Sequence, residues 1–190
     1  VNSSRKRVKN VAQLKALRSK LALSLDYIFG RGTSKRLDLN DVDFEISTRT
    51  GRPRYVLKKS DGEILFTFRA NGSIAPTLIG AKSLLNERRM MKAGKDLGPR
   101  PRWTITVIDG VSELVSAGRT VFCKHVVRCD DSLRANEDVA ILNERGELLA
   151  VGRSVVSGPL MKQFKRGAAV KVREGSNLSA NDTATPNEHG

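Results

Sequence analysis

The sequence predicts an α+β protein in two parts, a small helix–sheet–helix unit followed by a strand-dominated unit with two short helices. Three observations carry this reading. Apolar residues step by threes and fours near the amino end, whereas later they alternate at period two in short runs bounded by turn residues. A cationic stretch holding two glycines and two prolines separates the two parts. The resulting boundaries are 1–91 for the first unit, 92–101 for a linker, 102–175 for the second unit, and 176–190 for a polar, unpatterned tail expected to be disordered.

The first unit opens with Val11, Leu14, Leu17, Leu21, Leu25 and Ile28 on one face and Lys15, Arg18 and Lys20 between them, the pattern of an amphipathic helix. Asn10 suits its N-cap, Gln13 three residues on completes a capping box, and Gly30 and Gly32 stop it. Val42, Phe44 and Ile46 then alternate with Asp43, Glu45 and Ser47 as a half-buried strand. After the turn Thr50-Gly51-Arg52, strands follow at 54–58 and, beyond Ser60-Asp61-Gly62, at 63–68, with Ile64, Phe66 and Phe68 on one face. This three-stranded meander gains a short strand around Ile74. A helix over 77–91 turns Leu78, Ala81, Leu84 and Leu85 onto the sheet.

In the second unit a strand at 104–108 leads into a short helix closed by Gly118. Asp109 is expected to cap that helix and Asp130-Asp131 to shape a turn. Strands follow at 120–127, 139–143 and 148–156, with Arg145-Gly146 as the turn between the last two. A second short helix at 159–165 carries proline in its first turn, where a missing N–H costs nothing. Gly167 ends it, and 168–173 closes the unit as a strand.

Charge is the first functional clue. Lys and Arg number 34 against 20 Asp and Glu, a net charge of +14, and the sequence pI is about 10.3. Such a field favours polyanions, because each phosphate neutralised releases condensed counterions. No apolar run approaches the roughly 20 residues that span a bilayer, so no membrane partner is expected. The two cysteines, Cys123 and Cys129, would sit on one face of a strand about 20 Å apart. That excludes a disulfide scaffold and points to a reducing, cytoplasmic setting. With His125 they lack zinc-ligand spacing. Neither metal nor cofactor is expected.

Four blocks of the second half resemble a PUA domain, a small mixed β-barrel, over about 102–174. They are Gly118-Arg119-Thr120-Val121-Phe122-Cys123-Lys124, the run from Val139 to Arg153, Ser157-Gly158-Pro159-Leu160-Met161, and the run from Phe164 to Arg173. In the first half, Asp26-Tyr27-Ile28-Phe29-Gly30-Arg31-Gly32 and the run from Val42 to Arg52 are similar to the segment that precedes the PUA domain in archaeal tRNA-guanine transglycosylase and archaeosine synthase. The resemblance implies the carboxyl-terminal tRNA-binding half of such enzymes, whose PUA domain holds the acceptor stem. Where archaeal relatives carry Pro-Gly, this chain has Ala135-Asn136, and asparagine tolerates the left-handed turn. Arg119 stands where lysine is common.

The resemblance therefore implies a non-catalytic RNA-binding protein of archaeosine-type tRNA modification, with tRNA as partner and a separately encoded transglycosylase or synthase chain supplying the catalysis. The transglycosylase's barrel nucleophile and cysteine-rich zinc site do not fit this length and these two cysteines. A ribosome-assembly or translation-associated rRNA binder is the alternative. Gly118 and Arg119 are expected to face the RNA, the glycine letting backbone N–H groups approach a phosphate. Lys124, Arg128 and Arg134 extend that contact, with Arg153, Lys165, Arg166, Lys171 and Arg173 as further contacts on the same unit. Arg5, Lys6, Arg7 and Lys9 form an expected phosphate-contacting arm.

Overall fold

A computed structural model describes residues 5–85 and 101–177. The expected linker up to residue 100, the tail from 178 and the helix beyond residue 85 lie outside the described residues. The first two residues of the expected tail are fastened to the barrel: Ser176 N–H donates to Leu149 O at 2.8 Å and Asn177 N–H to Ser116 O at 3.0 Å.

The first half is a five-stranded antiparallel sheet in the order β1-β2-β3-β4-β5, formed by β1 (Arg5–Arg7), β2 (Val42–Ser47), β3 (Pro53–Lys58), β4 (Ile64–Phe68) and β5 (Ile74–Pro76). The predicted meander is its centre. Its outer strand β1 is a correction, because Arg5, Lys6 and Arg7 are not a free arm but pair with Ser47, Ile46 and Glu45. Helix α1 (Val11–Phe29) starts as expected, with the Asn10 side chain accepting from Gln13 N–H at 3.1 Å. It buries Leu21, Leu25 and Phe29. Helix α2 (Leu78–Leu84) is capped by Thr77 and lies so close to β4 that a Cβ on Gly80 would stand 1.9 Å from Leu65 O. Only glycine permits that approach.

The second half is a mixed six-stranded sheet ordered β7-β11-β10-β9-β6-β8. Its strands are β6 (Thr104–Val107), β7 (Val121–Phe122), β8 (Val126–Cys129), β9 (Asp138–Leu142), β10 (Leu148–Ser154) and β11 (Ala168–Gly175), with β6 and β9 parallel and the other pairs antiparallel. The two outermost strands, β7 and β8, are consecutive in the chain and separated only by a 3₁₀ turn at Cys123–His125. The sheet must therefore curl until its edges nearly meet, which makes it a barrel. The single strand expected at 120–127 is thus split in two. Cys123 and Cys129 do not share one straight strand; both are free thiols buried in the barrel core.

Short helices α3 (Ser112–Ser116) and α4 (Gly158–Gln163) complete the barrel. Asp109 does not cap α3. Its carboxylate instead accepts from Glu144 N–H at 3.1 Å, while Asp109 N–H donates to Glu144 Oε2 at 2.9 Å. Asp130 does shape its turn, accepting from Ser132 N–H at 2.8 Å. Asn136 takes the left-handed conformation anticipated for it, at φ 66°.

One hydrophobic cluster fills the barrel. The other joins the two halves, packing Phe29, Phe44, Phe66 and Leu84 with Trp103, Ala140, Leu142, Leu148 and Val151. The Phe29 and Trp103 rings meet edge to face at 4.9 Å.

Candidate nucleic-acid interface

The cations singled out in the sequence divide by what stands opposite them. Arg173, on β11, is the clearest departure from expectation. Its Nη1 donates to Asp138 Oδ1 at 2.7 Å and its Nη2 to Pro76 O. Arg69, at the end of β4, grips the same carboxylate with both Nη atoms, at 2.6 and 2.7 Å. The Asp138 side chain is 5% exposed. Arg173 therefore belongs to a seam between the two sheets, where it shares one carboxylate with Arg69. Glu174 extends the seam, its Oε2 accepting from Leu78 N–H at the start of α2 at 2.9 Å.

Arg153 stands between Asp138 and Lys171 in strand register, and its Nε donates to Asn136 O at 2.9 Å. Arg134 is exposed, with its N–H donating to Glu137 at 3.1 Å and its carbonyl accepting from Ser154 Oγ at 2.7 Å, so its loop is held to β10. Arg128 lies on β8 opposite Thr106. It borders a shallow polar depression lined also by Thr104, Asp130, Asp131 and Lys162. That depression carries both signs of charge and suits a polyanion poorly. Lys6, Arg7 and Lys9 are exposed beside the first sheet's outer strand, on the other half of the molecule.

The remaining cations gather on the edge of the barrel. Arg119 precedes β7, Lys124 sits on the turn between β7 and β8, Lys165 and Arg166 follow α4, and Lys171 projects from β11, the neighbour of β7; all five are exposed. Among the described residues none of the five has a carboxylate at ion-pair distance. Residues 119–129 and 158–173 contain no Asp or Glu at all. Within these segments Lys162 is bonded to Asp131 at 2.7 Å and Arg173 to Asp138 at 2.7 Å.

Gly118 plays a different part from the one expected. At φ 84° it ends α3, with its N–H donating to Val115 O at 2.9 Å and Arg119 N–H to Leu114 O at 3.0 Å. This is the Schellman pattern, in which both amides satisfy orphan helix carbonyls. Neither N–H is left to approach a phosphate, so only the Arg119 side chain can make that contact. The cysteines offer no nucleophile, since burial pushes both thiols up and away from the reactive thiolate.

Sequence reasoning missed the Arg69–Asp138 pair, which joins positions far apart in the chain and leaves no local trace. It also missed Phe122 and Phe164, which are 46% and 45% exposed on the cationic edge. The alternation Val121, Phe122, Cys123 already placed Phe122 on the outer face. Phe164, three residues after the inward Met161, stands at a spacing that gives no sign of its exposure.

Comparison with known proteins agrees with this architecture. Residues 103–175 match the PUA domain, and residues 20–88 match the patch-forming domain C2 of tRNA-guanine transglycosylase. The chain is 36% identical over 151 residues to the tRNA-guanine(15) transglycosylase of Thermococcus onnurineus, covering 79% of this chain and 24% of that protein. To its counterpart in Methanocaldococcus jannaschii it is 37% identical over 142 residues, covering 74% of this chain and 20% of the relative. The chain thus spans a fifth to a quarter of the length of these relatives. Among solved structures, a hypothetical protein from Pyrococcus horikoshii superposes with a TM-score of 0.60 at 20% identity, covering 92% of this chain and 95% of that one. A PUA-domain structure from Aeropyrum pernix gives 0.60 at 17% identity, covering 92% and 88%. Both show the fold.

The chain thus carries a PUA domain over residues 103–175. More narrowly, it joins that domain to a C2-type patch-forming domain, and so resembles the carboxyl-terminal portion of archaeal tRNA-guanine transglycosylases.

Proposed function

We propose that the chain binds tRNA through the β7–β11 edge of its barrel, as a non-catalytic component of archaeosine-type tRNA modification. The observation that carries this reading is the set of five exposed cations on that edge, in two segments free of carboxylates. Side chains of one sign, held at strand edges and turns, fit a phosphate backbone. Duplex RNA offers little base readout in its deep groove, so shape and backbone contacts dominate its recognition. The relatives' names, and the pairing of the same two domains, support tRNA as the RNA. A separately encoded transglycosylase or synthase chain would act on the bound tRNA. Arg128, Arg134 and Arg153 border the edge, and the Arg5, Lys6, Arg7 and Lys9 segment offers a second, separate contact. Arg173 is reserved for the seam.

Filter binding of whole tRNA across a salt series tests the mechanism. With about six phosphates neutralised, the logarithm of affinity falls with the logarithm of salt at a slope of about −4 to −5; a flat response rejects charge-driven binding. Crosslinking followed by sequencing of the bound RNA tests the substrate. Recovery of ribosomal RNA in place of tRNA would move the chain to ribosome assembly or translation.

A further inference from the structure

We infer that helix α1 is a self-association surface, whose occupant is α1 of a second copy of this chain packed antiparallel across a two-fold axis. The helix buries Leu21, Leu25 and Phe29 on one side. Along the opposite side run Ala12, Ala16, Ser19, Lys20, Leu23 and Tyr27, all exposed, at the steps of three and four that keep residues on one helical face. Leu23 is 73% exposed and Tyr27 86%. Val11 is as open but lies off this stripe. The helix thus has its core contact on one side and a second, uncovered seam on the other.

Single exposed apolar residues are ordinary on protein surfaces; the order of sizes along this seam is what identifies its occupant. The amino half is small, with Ala12, Ala16 and Ser19, and the carboxyl half is large, with Leu23 and Tyr27. A second α1 running the other way, with the axis between Ser19 and Lys20, sets Tyr27 beside the partner's Ala12 and Leu23 beside the partner's Ala16. Each large side chain meets a small one, and the same patch is used by both copies, as two-fold symmetry requires. The seam runs for about 22 Å at 1.5 Å per residue, with the spacing of helices that pair at a shallow crossing angle. A parallel pair would set Tyr27 against Tyr27 and leave gaps at the alanines.

Charge points to the same arrangement. Lys15 and Asp26 flank the stripe on one side, and Asp26 is the only acid in the helix. Antiparallel pairing brings Lys15 of each copy towards Asp26 of the other, two opposite-charge pairs from one repeated contact. Asp26 stands in the last turn, where the dipole of its own helix disfavours an acid; an approaching lysine offsets that. Its carboxylate is fixed in place by Ser34 N–H at 2.7 Å. An acidic helix from an unrelated protein would find Lys15 and Lys20 but would stand against Asp26. Lys20 meets its own copy near the axis, a like-charge pair that keeps the dimer among weak, transient interfaces.

The test is sedimentation equilibrium of the full chain, without RNA, from about 1 μM to about 1 mM. A reversible monomer–dimer equilibrium is expected. Leu23→Asp should weaken it about tenfold or more with an unchanged melting curve, because the side chain is exposed, and Lys20→Gln should strengthen it. Register is read by cysteine pairs: a mixture of Ala16→Cys and Leu23→Cys chains should crosslink on mild oxidation faster than either variant alone. Cys123 and Cys129 are buried and add no background. A monomer at every concentration overturns the inference, as does a dimer that Leu23→Asp leaves unchanged, or one in which the single variants crosslink as fast as the mixture. A chain that stays monomeric but binds a glutamate-rich amphipathic peptide through Leu23 also overturns it, and gives the stripe to a different protein.

Discussion

The seam and the barrel edge use the same kind of side chain in opposite circumstances. At the seam, Arg69 and Arg173 close on one buried carboxylate, and the Pro76 carbonyl takes a further donor of Arg173. At the edge, Arg119, Lys124, Lys165, Arg166 and Lys171 stand in solvent with no acid at ion-pair distance among the described residues. A cation's role is settled by what lies across from it. Arg173 and Lys171 are two residues apart on one strand, yet the first fastens the two sheets together and the second remains available to a polyanion.

Removing the carboxylate at the seam should give the largest effect. Asp138→Ala leaves two guanidinium groups, 26% and 37% exposed, without their counter-ion; because water reaches both, the cost is about 2 to 3 kcal/mol, below that of a fully buried pair. Urea denaturation should show that loss, while the protein that remains folded binds tRNA as before. A lowered affinity in the folded protein would merge the two regions into one. At the edge the signature reverses: Arg119→Glu should weaken tRNA binding about tenfold, roughly 1.4 kcal/mol, with the urea midpoint unmoved. Lys20→Glu, on the exposed side of α1, should leave affinity near wild type; equal losses would place the interface elsewhere.

Smaller effects sharpen the division. Gly118→Ala forces an L side chain into a left-handed position at φ 84°, at a cost of about 1 kcal/mol. Because the Gly118 amide is already bonded within the helix terminus, the change should lower stability more than it lowers RNA affinity. The smallest effect concerns Asp26, whose carboxylate accepts from Ser34 N–H at 2.7 Å. That bond holds its carboxyl below the usual range. A depressed folded-state pKa gives stability that is present above the unfolded value, about 3.9, and lost as pH falls through the folded one. The gap in urea midpoint between wild type and Asp26→Asn should therefore narrow as the pH drops below about 4.

Local pattern was enough for much of this structure. Helix α1 and its Asn10 cap, the central strands of the first sheet, the Arg145-Gly146 turn and the left-handed Asn136 all follow from spacing and residue type. What escaped depended on closure or on distance. Residues 120–127 alternate like one strand, and only the need to bring the sheet's edges together breaks them at Cys123–His125. Arg5–Arg7 is cationic enough to suggest a free arm, but the unpaired backbone of β2 recruits it into the sheet. The edge cations were legible as a group because acids are missing from their segments. Arg173 sat in the same acid-free run, and the partner that claims it, Asp138, lies 35 residues away.

The outer strand β1 bears on how molecules of this protein meet one another. An exposed sheet rim is a template onto which a strand from another molecule can add. Here one rim shows the exposed side chains of Lys6 and Arg7. The opposite rim, β5, is buried along its length, and its Pro76 carbonyl accepts from Arg173. An approaching copy encounters like-charge repulsion on one flank and a covered strand on the other. Both flanks thus resist strand-by-strand growth into aggregates.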